Sequence, residues 1–259
     1  MTLLSDFGTA DGYAGAMKGA VLAVCPDARL VDLGHSIPAG DIRAASRALA
    51  RAAPLFPAGT VHLAVVDPGV GSGRRGLAAE IGAQLYVAPD NGLLGGVLGP
   101  AAEARVHELA NPDLWRPEPS PVFHGRDVFG PVAGALAGGA ELASVGPEVP
   151  AASLVRLPEP APRDLGDGLQ GEVVAVDRFG NLITNLTPGE AGAGGRVEIA
   201  GRTLSLSRTY GDVAPGELVA LVGSAGAIEV ARNCGSAAEL LGIAAGHLVS
   251  WRALRREAD

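Results

Sequence analysis

The stretch VVDPGVGSGRR, Val65 to Arg75, reads as an apolar strand that ends abruptly on Asp67 and breaks into a turn rich in proline and glycine. Arg74 and Arg75 follow that turn. Strand ends that open into glycine loops are where α/β folds place chemistry, because the scaffold is rigid and the loop backbone is accessible. A carboxylate at the strand tip, with a guanidinium a few residues on, can handle a water proton or a charged ligand. The loop is not a P-loop, since no GK[ST] follows the glycines. Its plain alternative is an Asp-Pro turn that ends a strand, with the two arginines as exposed charges opening the next element.

On either side of this loop, strand-like and helix-like patterns alternate. MTLLSDF begins as a strand, and YAGAMKGAVLAVC carries apolar residues at helical spacing. ARLVDLGH is a second strand and IRAASRALARAAPLF a second helix. TVHLAVVDPGVG is the third strand, GLAAEIGAQLYVAPDNG a strand pair, and DVFGPVAGALAGGAE a closing helix. This alternation predicts an α/β domain with a largely parallel sheet over residues 1–150. Across 151–168 the prolines are too closely spaced for a helix or an internal strand, which predicts a linker. Residues 169–259 carry short β-type runs, among them RVEIAGRTLSLSRTY and ELVALVGSAGAIEVARN, separated by glycine turns. They predict a small sandwich or barrel. ELLG near Leu240 adds a helical turn, and the Arg-rich end WRALRREAD reads as a solvated tail.

Composition bounds the function. The 259 residues are long enough for one large domain or two ordinary ones, and 47% apolar content with few aromatics describes an aliphatic core. The net charge of −8 argues against a nucleic-acid partner, whose phosphates require a basic face. Apolar runs stop well short of the ~18 residues of a membrane span. MTLLSDFGTADGY has no basic region before an apolar core, so no secretion signal is expected. Cys25 and Cys234 lie in unrelated segments, and a reduced, cytoplasmic setting is the expectation.

Several further residues are candidates for chemistry. Asp6, ending the first strand, can accept two hydrogen bonds from a vicinal diol, or can be a turn or cap aspartate. Asp11 reads more readily as a helix cap. PDNG, Pro89 to Gly92, is fully explained as a turn. HGRDVF, His124 to Phe129, packs an imidazole, a guanidinium and a carboxylate before a helical run, with Asp127 readable as a cap. In DRFGNLITN, Asn181 and Asn185 lie beside an aromatic, Phe179; amides can read a purine edge and rings can stack on its face, or the segment is a hairpin turn through Phe179-Gly180-Asn181. GSAGAIEVARNCGSA supplies Ser224, Arg232, Asn233 and Ser236 in a last loop. No His/Cys/Glu spacing suggests a metal site, and neither GxSxG nor a Ser-His-Asp order is evident.

Taken together and in order, these motifs resemble one family, the S-adenosyl-L-methionine (SAM) hydroxide adenosyltransferases, relatives of the fluorinase and chlorinase enzymes. The matching pieces are SDFGTADGYAGAMKG, VDLGHSIPAGDIR, HLAVVDPGVGSGRR, VAPDNG, FHGRDVF, DRFGNLITN and IEVARNCGSAAELLG, which span almost the whole chain. The resemblance implies an N-terminal α/β domain, a C-terminal β-barrel and a homotrimer whose ligand sites lie between subunits. It implies an Asp–Arg–His catalytic set at Asp67, Arg74 and His124, which the halogenating relatives replace. By the same resemblance Asp6 holds the ribose diol, while Asp11 and Ser224 hold the amino-acid end of methionine. Phe123 and Phe179 lie near the adenine, Asn181 and the backbone around Asn233 and Cys234 read its edge, and Arg232 is a further substrate-binding candidate. Ala225 and Ala227 stand where relatives often carry aromatics, a departure at the methionine end.

The implied reaction is hydrolysis of SAM to adenosine and L-methionine, with water or hydroxide attacking the ribose C5′ in line with the departing sulfonium. SAM is then the substrate, and no metal or redox cofactor is expected. Two alternatives remain open on sequence: halide-dependent adenosyl transfer, and a non-catalytic protein that senses SAM or adenosine. Membrane and nucleic-acid partners are not expected.

Overall fold

The structure is a computed structural model that describes residues 1–99, 103–187 and 195–253. It divides into two compact units, Met1–Leu157 and Pro158–Asp259.

The first unit is built on six strands: β1 (Thr2–Ser5), β2 (Val31–Gly34), β3 (Val61–Val65), β4 (Gly76–Ile81), β5 (Gln84–Pro89) and β6 (Ala104–Glu108). Their spatial order is β2-β1-β3-β5-β4-β6. β2, β1, β3 and β5 are mutually parallel, whereas β4 runs antiparallel to β5 and β6. The sheet is therefore mostly parallel. The expected pair in GLAAEIGAQLYVAPDNG is the β4–β5 hairpin; β6 escaped the pattern reading because RVHE offers no clean alternation.

Side-chain alternation explains how this sheet is buried on both faces. Leu3, Leu63 and Val65 join one core with Met17, Val21 and Val132, while Leu4, Ala64 and Val66 join another with Ala45 and Leu49. Successive strand residues point to opposite faces, so a run such as Val61–Val66, apolar except for the buried His62, feeds both cores. One face is covered by α1 (Tyr13–Val24) and α3 (Gly130–Ala137), the other by α2 (Ile42–Ala52). Asp41 caps α2, its carboxylate accepting the Ala44 N–H at 2.9 Å. The α1–α3 packing is close: a Cβ on Gly134 would come within 2.9 Å of the Val21 carbonyl oxygen.

The order β2-β1-β3 has a functional consequence. β1 connects through α1 to β2 on one side, and β2 returns through α2 to β3 on the other side of β1. Such a reversal opens a crevice at the carboxyl ends of the two central strands, where doubly wound folds bind ligands. β1 and β3 pair with Ser5 opposite Val65. Asp6, directly after Ser5, and Asp67, two residues after Val65, therefore emerge at the crevice.

The second unit is a closed β-barrel. β8 (Gly168–Val176), β9 (Leu182–Thr184), β10 (Gly195–Ile199), β11 (Arg202–Ser207), β12 (Leu218–Val222), β13 (Ile228–Arg232) and β14 (Leu248–Ala253) form its wall, and the two-residue β7 (Arg163–Asp164) pairs with β8. The order β14-β10-β11-β12-β13-β9-β8 closes on itself because β8 also pairs with β14. β10 alternates in the manner of a barrel wall, with Val197 and Ile199 buried and Arg196 and Glu198 exposed. The turn near Leu240 is α4 (Ala237–Leu241), capped by Ser236, whose hydroxyl accepts the Glu239 N–H at 3.0 Å.

WRALRREAD is not wholly a tail. Trp251 is 2% exposed and packs in the barrel core. A Cβ on Gly195 would meet its indole, so glycine there makes room for the ring. The last six residues of that segment, 254–259, lie outside the described residues.

Candidate active site

Asp67 follows β3 with its side chain 5% exposed. Arg74 returns to it across the glycine loop: Nε donates to Oδ1 at 3.0 Å and to Oδ2 at 2.9 Å, and Nη2 also donates to Oδ2. Nη2 lies 3.0 Å from His124 Nδ1 as well. One guanidinium thus links the carboxylate and the imidazole. Its other support is the ring of Phe129, whose centroid lies 5.0 Å from Cζ. Burial pushes the His124 imidazole below its ordinary pKa and the Arg74 charge pushes the same way, against weaker pulls from Asp67 and Asp127.

The local backbone makes this meeting possible. Gly71 has φ +78°, and a Cβ there would lie 2.6 Å from the Pro121 carbonyl oxygen. Glycine is required for the Asp67 loop to approach the His124 loop so closely. His124 in turn precedes a π-helical turn, Gly125–Phe129, that leads into α3. A Cβ on Gly125 would sit 2.9 Å from the Phe7 ring and 3.4 Å from Val65. Single π turns recur at functional sites because they redirect a side chain without breaking the helix.

A cleft of about 130 Å³ is lined by Asp6, Asp67, Phe123 and His124 together with Phe7, Gly40, Val65, Pro68, Val70, Val122 and Gly125. Asp6 is held by the Gly40 N–H, which donates to Oδ2 at 2.8 Å. That bond crosses from the β1 end to the loop before α2, so it is neither a local turn nor a cap. Phe123 packs edge-on against Phe7 at 5.6 Å and against Tyr13 at 5.4 Å, and the Arg126 guanidinium lies 4.9 Å from its ring centroid.

Three sequence expectations change here. Asp11 is exposed, and the N-cap of α1 is Gly12 with no side-chain cap, so Asp11 does not cap that helix. Asp127 is no cap either. It is 2% exposed and accepts from Arg126 Nε at 2.6 Å, Arg126 Nη2 at 2.7 Å and the Ser120 N–H at 2.9 Å, which hold its carboxyl below its ordinary value. Arg75 is no exposed charge: it pairs with the buried Asp90.

Sequence reasoning also missed a buried relay. Ser5 Oγ lies 2.7 Å from His35 Nδ1, His35 Nε2 lies 3.2 Å from Asp32 Oδ1, and Lys18 donates to Asp32 Oδ2 at 2.6 Å. Burial works against the charge on Asp32, yet the bonds from Lys18 and His35 hold its carboxyl below the ordinary value. Ser5 is fully buried, so this Ser–His–Asp chain is a brace for the end of β1 and not a nucleophile. No Ser-His-Asp order is evident in the sequence, because nothing local ties Ser5 to His35 across 30 residues.

The barrel carries the other candidates. Phe179 is 75% exposed at the tip of the β8–β9 turn. Asn181 is buried there, its Nδ2 donating one N–H to Asp177 Oδ2 at 2.9 Å, which leaves its second N–H and its side-chain carbonyl oxygen to meet a ligand. At the end of β13, Arg232 Nε donates to the Gly216 carbonyl at 2.9 Å and Asn233 Nδ2 to the Val213 carbonyl at 2.8 Å. Cys234 follows, exposed and in a left-handed conformation with φ 56°. Since β9 pairs with β13 through Leu182 and Val230, the Phe179–Asn181 turn and the Arg232–Cys234 turn share one rim. Ser224 lies in the β12–β13 hairpin, at the opposite end of β13.

A doubly wound α/β unit with a carboxylate–guanidinium–imidazole set at its switch point, joined in sequence to a closed β-barrel, defines a narrow class of protein. The family profile of the SAM hydroxide adenosyltransferase N-terminal domain matches residues 1–146, and that of the C-terminal domain matches residues 171–250. An (R)-S-adenosyl-L-methionine hydrolase of Salinispora tropica is 44% identical over 254 residues, covering 95% of each chain. A protein of the same name from Thermus thermophilus is 46% identical over 251 residues, covering 94% of this chain and 95% of its own. The crystal structure of an uncharacterized conserved protein from Thermotoga maritima matches with a TM-score of 0.89 at 33% identity, over 97% of this chain and 99% of that one. The chain belongs to the SAM hydroxide adenosyltransferase family.

Proposed function

We propose that this protein hydrolyses SAM to adenosine and L-methionine, with Asp67, Arg74 and His124 as its catalytic set. The observation that carries this reading is the bridge of Arg74 between Asp67 and His124, in the wall of the cleft that also receives Asp6.

The chemistry asks little of the protein at the leaving group. A water oxygen forms the new bond to C5′ as the C5′–S bond breaks, and the sulfur departs as a neutral thioether with its electron pair. One proton must leave the attacking water. Asp67 orients that water and accepts the proton, while Arg74 fixes the carboxylate. His124, with Nδ1 engaged by Arg74, presents its other ring nitrogen to complete the hydrogen-bond set. The sulfonium loses its charge in the transition state, so holding that charge tightly in the ground state would slow the reaction. Positioning of the water counts for more than attraction.

Asp6 receives the ribose diol on the oxygen that Gly40 leaves open. Asp11 and Ser224 take the amino-acid end, Phe123 and Phe179 lie near the adenine, Asn181 and the backbone around Asn233 and Cys234 read its edge, and Arg232 completes the substrate-binding set. A cleft of about 130 Å³ is well below the ~300–1,000 Å³ of ordinary small-molecule sites, so other surfaces must cover most of the ligand. A homotrimer with sites shared between neighbouring subunits meets that need. We place the protein in the cytoplasm: both cysteines are free, and no described helix is long and apolar enough to cross a membrane.

The test is product analysis with and without chloride. Purified protein incubated with SAM releases adenosine and methionine at a rate independent of halide, and Asp67→Ala abolishes release while largely sparing SAM binding. Halide-dependent formation of a 5′-halogenated nucleoside, or tight binding with no product, would overturn the reading.

A further inference from the structure

We propose that Asp90 and Asn91, the centre of the PDNG turn, are positioning residues that hold the two stems of the catalytic loop and so fix where Asp67 and Arg74 meet. The inference rests on the hydrolytic reading above. Neither residue lines the cleft. Each instead grips a residue adjacent in sequence to a catalytic one.

On the entry stem, Asn91 Nδ2 donates to the Val66 carbonyl at 2.8 Å. Val66 is fully buried and lies just past the end of β3. A buried carbonyl at that point needs a donor, and Asn91 supplies one. Its orientation carries directly into Asp67, the next residue.

On the exit stem, the Asp90 N–H donates to the Arg75 carbonyl at 2.9 Å. The Asp90 side chain, 6% exposed as a residue, accepts on Oδ2 from Arg75 Nε at 2.9 Å and Nη2 at 2.5 Å. Its Oδ1 accepts the Val155 N–H at 2.9 Å. Arg75 extends the clamp by donating to the Ser153 hydroxyl at 3.2 Å and carbonyl at 2.9 Å. A buried charge must be paired, and here the pair pins the residue next to Arg74.

The loop between these stems has mainly internal bonds. Val70 N–H donates to the Asp67 carbonyl, and Ser72 donates to the Gly69 carbonyl from both its N–H and its hydroxyl. Those bonds shape the loop without tying it to the sheet, so its placement depends on the stems.

Asn91 separates its two tasks by atom. Its Oδ1 accepts the Leu93 N–H at 3.2 Å and closes the turn, while Nδ2 grips Val66. Asn91→Asp therefore keeps the side-chain size and the turn bond but loses the grip. In the full chain, Asn91→Asp and Asn91→Ala should each lower kcat for adenosine release by about 10- to 100-fold with KM changed by less than about threefold. Arg75→Gln should do the same from the other stem, and Arg75→Lys should restore most of that loss, which keeps the test open should the Asn91 variants not fold. In an Arg74→Lys background, Asn91→Asp should cost less than in the wild type, because both act on one carboxylate. Wild-type kcat in Asn91→Asp, or the same cost in both backgrounds, overturns the proposal. An activity-free readout separates it from the hydrolytic reading. NMR titration of the His124 imidazole should show its pKa raised in Asn91→Asp, as Arg74 leaves Nδ1. A wild type that releases no adenosine defeats the hydrolytic reading alone, whereas an unmoved His124 titration defeats the clamp.

Discussion

Arg74 Nη2 lies 3.0 Å from His124 Nδ1, and because a guanidinium only donates, that ring nitrogen accepts. The proton of the neutral ring is therefore on Nε2. Protonating Nδ1 would set two donors against each other, in line with the lowered pKa of His124. The imidazole is a fixed donor in the resting site, which in the proposed mechanism leaves Asp67 as the proton acceptor.

This assignment predicts the acid side of the pH profile. The folded pKa of His124 is below the ordinary 6.5, so the neutral ring persists at pH 6.5 and is lost as pH falls through the lowered value. The acid limb of kcat/KM should lie below pH 6.5. A limb at or above 6.5, measured under conditions where the protein remains folded, would contradict the tautomer.

Arg74→Lys tests the bridge itself. A lysine ammonium is a point charge and cannot span both partners with a planar fork. The variant should lose about 10²-fold in kcat with SAM affinity little changed, and steady-state kinetics with calorimetry will show it. Full activity in Arg74→Lys would reduce Arg74 to a counter-charge.

Gly71→Ala tests the approach of the two loops. The substitution puts a Cβ into a left-handed φ and against the Pro121 carbonyl oxygen, 2.6 Å away. It should cost about 1–3 kcal/mol in denaturant unfolding, and lower kcat because Pro121 lies three residues before His124 on the same loop. Unchanged stability and rate would mean the loops have room to spare.

His62 predicts a pH-dependent stability unrelated to catalysis. It is fully buried, lies 2.7 Å from Thr2 Oγ1 through Nδ1 and stacks on Tyr86. Burial lowers its pKa from 6.5 to about 4. The unfolded chain thus binds the proton more readily, so this contribution is present above pH 6.5 and is lost as pH falls toward 4. At ~1.4 kcal/mol per pKa unit it amounts to about 3 kcal/mol. Unfolding measured between pH 7 and 4 should steepen accordingly, and His62→Phe should flatten that part of the slope. An identical slope in the variant would assign the effect elsewhere.

Much of this architecture was legible in the chain because its signals are local. Val61–Val66 is apolar except for His62, a pattern that fits a strand buried on both faces, and Asp67 with its glycines marks where that strand must stop. The convergence of Asp6, Asp67 and His124 came from motif resemblance, since nothing local ties residue 124 to residue 67. What escaped were roles set by distant partners. Asp127, read as a cap, spends its charge on Arg126, and Arg75, read as solvated, is held by Asp90. Trp251 looked like the start of a tail because its neighbours are arginines, but Gly195, far away in sequence, leaves space for its ring.

The most direct measurement is hydrolysis in heavy-oxygen water, followed by mass analysis of both products. The account predicts one solvent oxygen in the 5′ hydroxyl of adenosine and none in methionine. Adenosine released without the label would contradict attack of water at C5′.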